Sequence, residues 1–273
     1  MGKLIQLISH QRNYTNTVVK GLACLFLVLV ASAFQPKLEH ISTPIDTEIG
    51  ERLITLHSEE FKSFTNKIYN QLEYPIGYDT LTEKAFTPAL RGYMYLKHTQ
   101  ELTNTKYLTI VDFSQYCNDR RMWVIDLENK KVVLNEWVAH GTKSGDTHAK
   151  YFSNNHRSNR SSLGFYTTGD LYNGRNNLSL KLNGLEKGIN NNAFSRGIVI
   201  HGAHYVSKEI VNRSERIGRS FGCPAVRQEV NKVLVNTIKG GSCLFVWHPT
   251  PNYSTKSKLL NANLYITVDD LSI

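Results

Sequence analysis

The sequence predicts a mostly β domain, with helices before it and one helix inside it. Short runs rich in β-branched and aromatic residues, separated by turn residues, fill the chain beyond residue 105. Apolar residues recur at helical spacing before residue 100 and again after residue 225. With 273 residues, 41% of them hydrophobic, the chain is long enough to bury a sizeable core.

Residues 1–33 have the pattern of a secretory signal peptide. Three basic residues precede an apolar run over residues 21–30, and the small residues of segment 31–33 follow as a cleavage site. A membrane-spanning helix needs about 20 apolar residues, so a cleaved signal is favoured over a retained anchor. Residues 34–45 are polar, contain two prolines and are predicted to form a linker. We therefore expect an exported protein with no stable membrane span after cleavage.

Residues 46–100 form the predicted N-terminal helical region. The first helix should follow Ser58 as its cap, with Glu59 in its first turn. A second helix is expected to begin at Thr87, with Pro88 in the first helical position, where its missing N–H costs nothing. The apolar residues that recur at helical spacing in both predicted helices are interpreted as core residues.

Residues 105–250 form the predicted β domain, and residues 251–273 a C-terminal extension. A helix should interrupt the domain after Val226 and end at Gly240. The predicted strands are Tyr107–Phe113, Arg121–Leu127, Lys131–Ala139, Leu163–Thr168, Leu178–Leu182, Gly197–Ile200 and Ser242–Trp247.

The charge balance suits an anionic partner, although an ordinary, mildly basic surface without such a partner is the favoured interpretation. Without residues 1–33, the 32 basic residues of the full chain fall to 29 while all 23 acidic residues remain, which gives a net charge of +6. Export and the lack of a basic cluster interleaved with aromatics argue against nucleic acid.

Three cysteines remain after cleavage, namely Cys117, Cys223 and Cys243. An odd number in an oxidising compartment leaves at least one thiol unpaired. Cys117 and Cys243 could form a disulfide, or Cys243 could simply be buried in its apolar strand.

Two neighbouring segments carry the candidate chemistry. Residues 198–203 read as a buried strand that delivers His201, and residues 218–224 as a loop that delivers Cys223. A helix cap directly after Cys223 would lower its pKa, and a nearby imidazole would take the proton of the thiol.

The neighbours of Cys223 fit a nucleophile loop. Gly222 would leave room for an acyl group and let a tight turn present an N–H to an oxyanion. Ser220 could add a hydroxyl donor.

Two other interpretations stay open on spacing alone. His201 could be a satisfied structural residue. Alternatively, His201 and His204 could bind a metal with Cys223 and either His140 or His148, although the spacing is not that of a zinc finger. No phosphate-binding loop or acidic metal cluster appears, so we expect no cofactor and no metal.

Four motifs occur together and in one order. They are Val138–Thr142, Ser162–Tyr166, His201–Ala203 and Ser220–Val226. On these motifs, the chain from about Leu108 to Trp247 resembles the L,D-transpeptidase catalytic-domain family, specifically its murein branch.

The resemblance implies a mostly β, sandwich-like fold and a set of site residues. Cys223 would be the nucleophile, in a Ser-x-Gly-Cys loop with Ser220 and Gly222. His201 would be the base, held by the carbonyl of Gly202, and Gly222 with Cys223 would line the oxyanion site.

The chain departs from the family pattern at two positions in this loop. Phe221 stands where the family has His, and Ala225 where it usually has Arg or Asn. Arg219 or Arg227 could supply the missing substrate contacts.

The implied reaction starts with attack on the carbonyl at the L-centre of diaminopimelate in a peptidoglycan tetrapeptide stem. Terminal D-alanine is expelled and a thioester forms. An amine from a second stem would then make a 3→3 cross-link, water would make the protein an L,D-carboxypeptidase, and a lipoprotein lysine is a third acceptor. The rival hypothesis is a cell-wall binding module without catalysis.

Overall fold

The computed structural model describes residues 53–213 and 215–271. The predicted signal peptide, residues 1–33, and the predicted linker, residues 34–45, lie outside the described residues. In the part that is described, no helix has the length and apolar content needed to cross a membrane.

Helix α1 spans Glu59–Asn70, as predicted. The side-chain oxygen of Ser58 accepts a hydrogen bond from the N–H of Phe61 at 3.2 Å, which satisfies one of the free donors of the first turn. Phe61 and Ile68 are buried on its inner face.

Helix α2 spans Glu83–His98, so the prediction that it begins at Thr87 was wrong. Its first turn buries Ala85 and Phe86, and Pro88 lies inside the helix. The proline removes one backbone hydrogen bond of the helix. Burial of the apolar first turn compensates for this loss, so the helix begins before the proline.

The mostly β fold class is confirmed. Eight strands form one sheet in the order β4-β3-β2-β9-β5-β6-β7-β8, and β1 pairs with β10 in a separate two-stranded sheet. All seven predicted strands are present, with shifted ends except at β9. The strands are β1 Leu53–Thr55, β2 Asn104–Asp112, β3 Met122–Asp126, β4 Lys131–Glu136, β5 Gly164–Gly174, β6 Asn177–Gly184, β7 Val199–Gly202, β8 Ala225–Val226, β9 Ser242–Trp247 and β10 Tyr265–Thr267.

The large sheet curls so that its two edges approach each other. The chain just beyond β4 meets β8 at the opposite edge, where the N–H of Ala139 donates to the carbonyl of Ala225 at 2.8 Å. A second bridge joins Gly141 to Ser220. The sandwich-like fold is therefore a single curled sheet that nearly closes, and its closing edge holds the loop before β8.

The helices and the sheet share one hydrophobic core. It contains Phe61 of α1, Phe86 of α2 and Phe165 of β5, all almost completely buried. Helix α2 packs closely on strand β5, because a Cβ added to Gly92 of α2 would lie 1.9 Å from the ring of Phe165.

The remaining helices are shorter than α1 and α2. They are α3 Lys208–Asn212, α4 Gln228–Ile238, α5 Pro251–Lys256 and a 3₁₀ turn at Asp269–Leu271. Segment 251–271 is anchored at both ends, since Tyr253 donates to the buried carboxyl of Glu186 at 3.1 Å and β10 pairs with β1.

Candidate active site

Cys223 lies in the loop between the closing bridge at Ser220 and strand β8, and it is half-buried. Its thiol donates to the carbonyl of Gly197, with Sγ 3.7 Å from the oxygen. Helix α4 begins only after β8, with Arg227 as its cap residue, so Cys223 is not at a helix cap.

The expectation of a lowered pKa for Cys223 was therefore wrong. Burial raises the pKa of the Cys223 thiol, and the backbone of Val199 and the charge of Arg196 oppose this increase only in part. The sulfur is consequently a thiol, not a thiolate, at neutral pH.

His201 is buried on β7. Its Nδ1 lies 3.0 Å from the carbonyl oxygen of Gly202, and an N–H that donates there leaves Nε2 as the basic nitrogen. Burial lowers the pKa of His201, and the contact with Gly202 opposes this effect. The imidazole is thus neutral and can accept a proton.

The parallel pairing of β7 with β8 places Cys223 and His201 at the same edge of the sheet. His201 is opposite Ala225, and Cys223 lies two residues before Ala225. This offset corresponds to about 7 Å along a strand. In the described chain, the thiol bonds to Gly197 and the imidazole to Gly202, and a hydrogen bond between a nucleophile and its base often forms only when substrate binds.

The nucleophile loop is held by its own serine. The N–H of Gly222 donates to Oγ of Ser220 at 3.0 Å, and this hydroxyl donates to the carbonyl of Cys223 at 2.6 Å. Neither the Gly222 N–H nor the Ser220 hydroxyl is therefore free to bind an oxyanion in this arrangement. Within the described residues, the N–H of Cys223 itself donates to no protein group, so it is the available donor.

Gly222 is required by the shape of the loop. Its φ is +128°, and an added Cβ would lie 2.9 Å from the carbonyl oxygen of Arg160. Ser161 supports the same residue, since its hydroxyl donates to the carbonyl of Gly222 at 3.2 Å.

Both arginines predicted to contact substrate have protein partners. Arg219 donates to the carbonyl of Gly145 at 2.7 Å and lies 3.4 Å from Asp146. Arg227 forms a bidentate ion pair with Glu136, with Nε 2.9 Å from Oε2. A substrate contact by either arginine would require an existing ion pair to rearrange.

Arg196 is the cation beside Cys223, and its position could not be predicted from the sequence. Its guanidinium donates to the carbonyls of Ser153 at 2.8 Å and Arg160 at 2.6 Å, and a Cβ on Gly222 would lie 3.3 Å from its Nη2. No local sequence pattern predicts that Arg196 lies near Cys223. Only the pairing of β7 with β8 places Cys223 next to the beginning of β7, which Arg196 precedes.

Tyr205 is a second neighbour that sequence reasoning missed. Burial raises its pKa to about 12, and the proximity of Cys223 adds to the increase. Its carbonyl accepts from the N–H of Gly218 at 2.6 Å, which ties the segment after β7 to the start of the nucleophile loop.

The structure does not bring the proposed metal ligands together. Nδ1 of His140 lies 2.8 Å from Nη2 of the fully buried Arg121, and its Nε2 lies 3.4 Å from the carbonyl oxygen of Gly145. His204 is exposed, with its ring against Tyr205. Among residues 53–213 and 215–271, no group of three His, Cys, Asp or Glu side chains could hold a metal ion.

The alternative of a Cys117–Cys243 disulfide is not realised. Both are free, buried thiols, and they belong to separate apolar clusters. Cys223 is therefore the most accessible of the three thiols in the described residues.

Comparison with known proteins shows which family this chain resembles. A family model described as the L,D-transpeptidase catalytic domain matches residues 78–247. A search of curated proteins gave no match.

The chain is similar to several solved structures at low identity. An L,D-transpeptidase from Mycobacterium smegmatis is 12% identical over 52% of this chain and 59% of that chain, with a TM-score of 0.33. One from Enterococcus faecium is 14% identical over 52% of this chain and 50% of that chain, with a TM-score of 0.32. The helical cell shape determining protein Pgp2 from Campylobacter jejuni is 14% identical over 63% and 62%, with a TM-score of 0.35. The chain thus spans between half and two thirds of the length of these proteins.

The family model covers well over half of the sequence and includes β2 to β9, with the strand that carries His201 and the loop that carries Cys223. The chain belongs to the L,D-transpeptidase catalytic domain family.

Proposed function

We propose that this protein is a murein L,D-transpeptidase that transfers an acyl group through Cys223. The observation that supports it most is a half-buried thiol in the loop before β8, next to the strand that carries a neutral imidazole whose Nδ1 is fixed by Gly202. Membership of the family supplies the class of reaction.

In the first half-reaction, Nε2 of His201 takes the proton of the Cys223 thiol as the sulfur attacks the carbonyl carbon of the donor stem. The carbonyl oxygen becomes an oxyanion, and the free N–H of Cys223 donates to it. The C–N bond to D-alanine then breaks. The imidazolium returns its proton to the leaving amine, and a thioester remains on Cys223.

In the second half-reaction, the side-chain amine of a second stem attacks the thioester. His201 accepts the proton of this amine and returns it to the departing sulfur. The product is a 3→3 cross-link, and the enzyme is restored. Water in place of the amine would give an L,D-carboxypeptidase product by the same route.

The roles of the remaining loop residues follow from their contacts. Ser220 fixes the loop through its two hydrogen bonds, and Gly222 admits the close approach of Arg160. Arg196 stabilises the negative charge that develops on sulfur as the proton leaves.

The proposed setting is the cell envelope. The signal-peptide pattern of residues 1–33 supports export, and the positive balance of the mature chain suits the carboxylate-rich stems of peptidoglycan. Nucleic acid is not a proposed partner.

The test is product analysis with the mature protein and a diaminopimelate-containing tetrapeptide muropeptide. We expect D-alanine release and cross-linked dimers from the wild type. Cys223→Ala should give no release, and His201→Gln should reduce the rate by at least about 100-fold, the usual contribution of a general base.

Each product pattern has a distinct meaning. Dimers support the transpeptidase, whereas tripeptides without dimers replace it by the carboxypeptidase. Binding of the muropeptide without any turnover by the wild type would contradict the catalytic proposal and favour a binding module.

A further inference from the structure

A cavity of about 330 Å³ is lined in part by Arg160, whose carbonyl oxygen faces Gly222. Its walls come from segments 150–163, 188–189 and 250–256. Three cationic side chains line it, Lys150, Arg160 and Lys256, and among the described residues of its lining none carries a carboxylate. The cavity is therefore electropositive.

These three cations have no acidic partner within the described part of the chain, where the ion pairs involve other residues. Lys150 and Lys256 are exposed, and the guanidinium of Arg160 lies over the ring of Tyr151, 5.4 Å from its centroid. Their charges are available to a ligand, with an aromatic face beside one of them.

The walls of the cavity are held by hydrogen bonds. The N–H of Ser153 donates to the carbonyl of Ser161 at 3.0 Å, and Asn154 donates to Asn191 at 2.9 Å. On the opposite wall, Tyr253 is fixed to buried Glu186. A site on such fixed segments is preorganised, so little ordering is needed when a ligand binds.

Arg160 connects the cavity to the loop that carries Cys223. The carbonyl of Arg160 accepts from Arg196, and it lies 2.9 Å from the position that a Cβ on Gly222 would take. Gly222 precedes Cys223 directly. A ligand in the cavity is thus separated from the nucleophile loop by one stretch of backbone.

We propose that this cavity is an anion subsite that holds a carboxylate of the peptidoglycan stem whose carbonyl reacts at Cys223. The inference rests on the proposed function, and it names the part of the substrate that the protein recognises. Peptide stems carry free carboxylates, and three cations around a polar cavity match them.

The subsite depends on a segment outside the matched family domain. The family match ends at residue 247, whereas Thr250, Asn252, Tyr253 and Lys256 complete the cavity. The C-terminal extension therefore contributes to substrate binding, in addition to its pairing with β1.

The test measures binding separately from turnover. The Cys223→Ala protein is titrated calorimetrically with a tetrapeptide stem bearing free carboxylates, and with the same stem carrying amides in their place. Arg160→Gln and Lys256→Gln are compared in this background with Lys232→Gln, a control at an exposed position on α4 outside the cavity.

We expect each cavity substitution to weaken binding of the carboxylate stem by about tenfold, the effect of losing one charge-assisted contact. The Lys232→Gln control should leave the affinity unchanged, and the amidated stem should bind weakly to every variant. Higher salt should reduce the difference, because exposed charges are screened.

Equal affinities in cavity and control variants, or no preference for the carboxylate stem, would overturn the subsite whatever the turnover result. Charge-dependent binding together with an inactive wild type would support the subsite and contradict the proposed catalysis. The two proposals therefore fail separately.

Discussion

At the scale of single residues, the protonation of Cys223 and His201 decides how the site works. Burial moves both groups toward their neutral forms, raising the pKa of the thiol and lowering that of the imidazole. The resting site therefore contains a thiol and an imidazole in place of an ion pair. In the proposed reaction, proton transfer is therefore part of the attack on substrate.

Alkylation of Cys223 should consequently be slow at neutral pH. A thiol whose pKa lies above the ordinary 9.0 is less than about 1% ionised at pH 7. We expect the iodoacetamide rate at Cys223 to rise steadily from pH 6 to pH 9, with Cys223→Ser correcting for Cys117 and Cys243. A rate that reaches a plateau below pH 7 would show a thiolate and contradict this description.

Gly222→Ala should be strongly damaging. The substitution combines a φ of +128° with a Cβ 2.9 Å from the backbone oxygen of Arg160. We therefore expect the free energy of unfolding to fall by about 1–3 kcal/mol. Turnover should also fall, because the loop that carries Cys223 is displaced. Gly77→Ala is the control, since Gly77 has a φ of +83° with no neighbour within 4 Å. Chemical denaturation and D-alanine release measure both effects, and equal results for the two variants would argue against a steric role of Gly222.

At the scale of elements, tertiary packing decides where helices begin and end, and these ends differ from those that the sequence patterns predict. Thr87 and Pro88 look like a helix start, but α2 begins at Glu83 because Ala85 and Phe86 are buried against the core. The helix therefore contains a proline that cannot donate to the carbonyl four residues earlier.

Pro88→Ala should accordingly stabilise the protein. Alanine restores the N–H, and it is about 3 kcal/mol more favourable than proline in a helix interior, although the more flexible unfolded chain offsets about 1 kcal/mol of this. We expect a higher Tm in thermal unfolding followed by circular dichroism. An unchanged or lower Tm would mean that the helix gains nothing from the restored donor.

The sequence was informative about elements with strong local patterns and silent about those set by tertiary contacts. The cap at Ser58, strand Ser242–Trp247 and the motifs around His201 and Cys223 could all be predicted locally. Strand β8 has two residues, and only its pairing with β7 defines it. For the same reason, neither the position of Cys223 outside a helix cap nor its proximity to Arg196 could be predicted.

At the scale of the whole molecule, one core links the helices to the curled sheet, and a smaller apolar cluster and a buried polar cluster complete the closing edge. Arg121 is entirely buried there and donates to the carbonyl of Val138 as well as facing His140. Burial and the neighbouring charge of Arg121 lower the pKa of His140 to about 4. This cluster makes the stability of the fold depend on pH.

The sign of that dependence follows from proton binding. Below pH 6.5 the unfolded chain protonates His140, whereas the folded protein does so only near pH 4. The free energy of unfolding should therefore fall by up to about 3 kcal/mol as the pH is lowered through this interval.

Urea denaturation across this interval measures the effect, with His140→Gln as the matched variant. Glutamine can accept from Arg121 and donate to Gly145 without titrating, so its stability should change less over the same range. Because the raised pKa of Glu186 acts in both proteins, the difference between them isolates His140. Identical pH slopes for the two proteins would contradict the assignment.

The most direct test of the central claim is to trap the acyl-enzyme. The mature protein is mixed with a tetrapeptide donor stem, quenched in acid, digested and analysed by mass spectrometry. We predict that the fragment containing Cys223 gains the mass of the donor acyl group without D-alanine, that hydroxylamine removes this mass, and that Cys223→Ser shows no hydroxylamine-sensitive adduct. Release of D-alanine by the Cys223→Ser protein at the wild-type rate would contradict catalysis through Cys223.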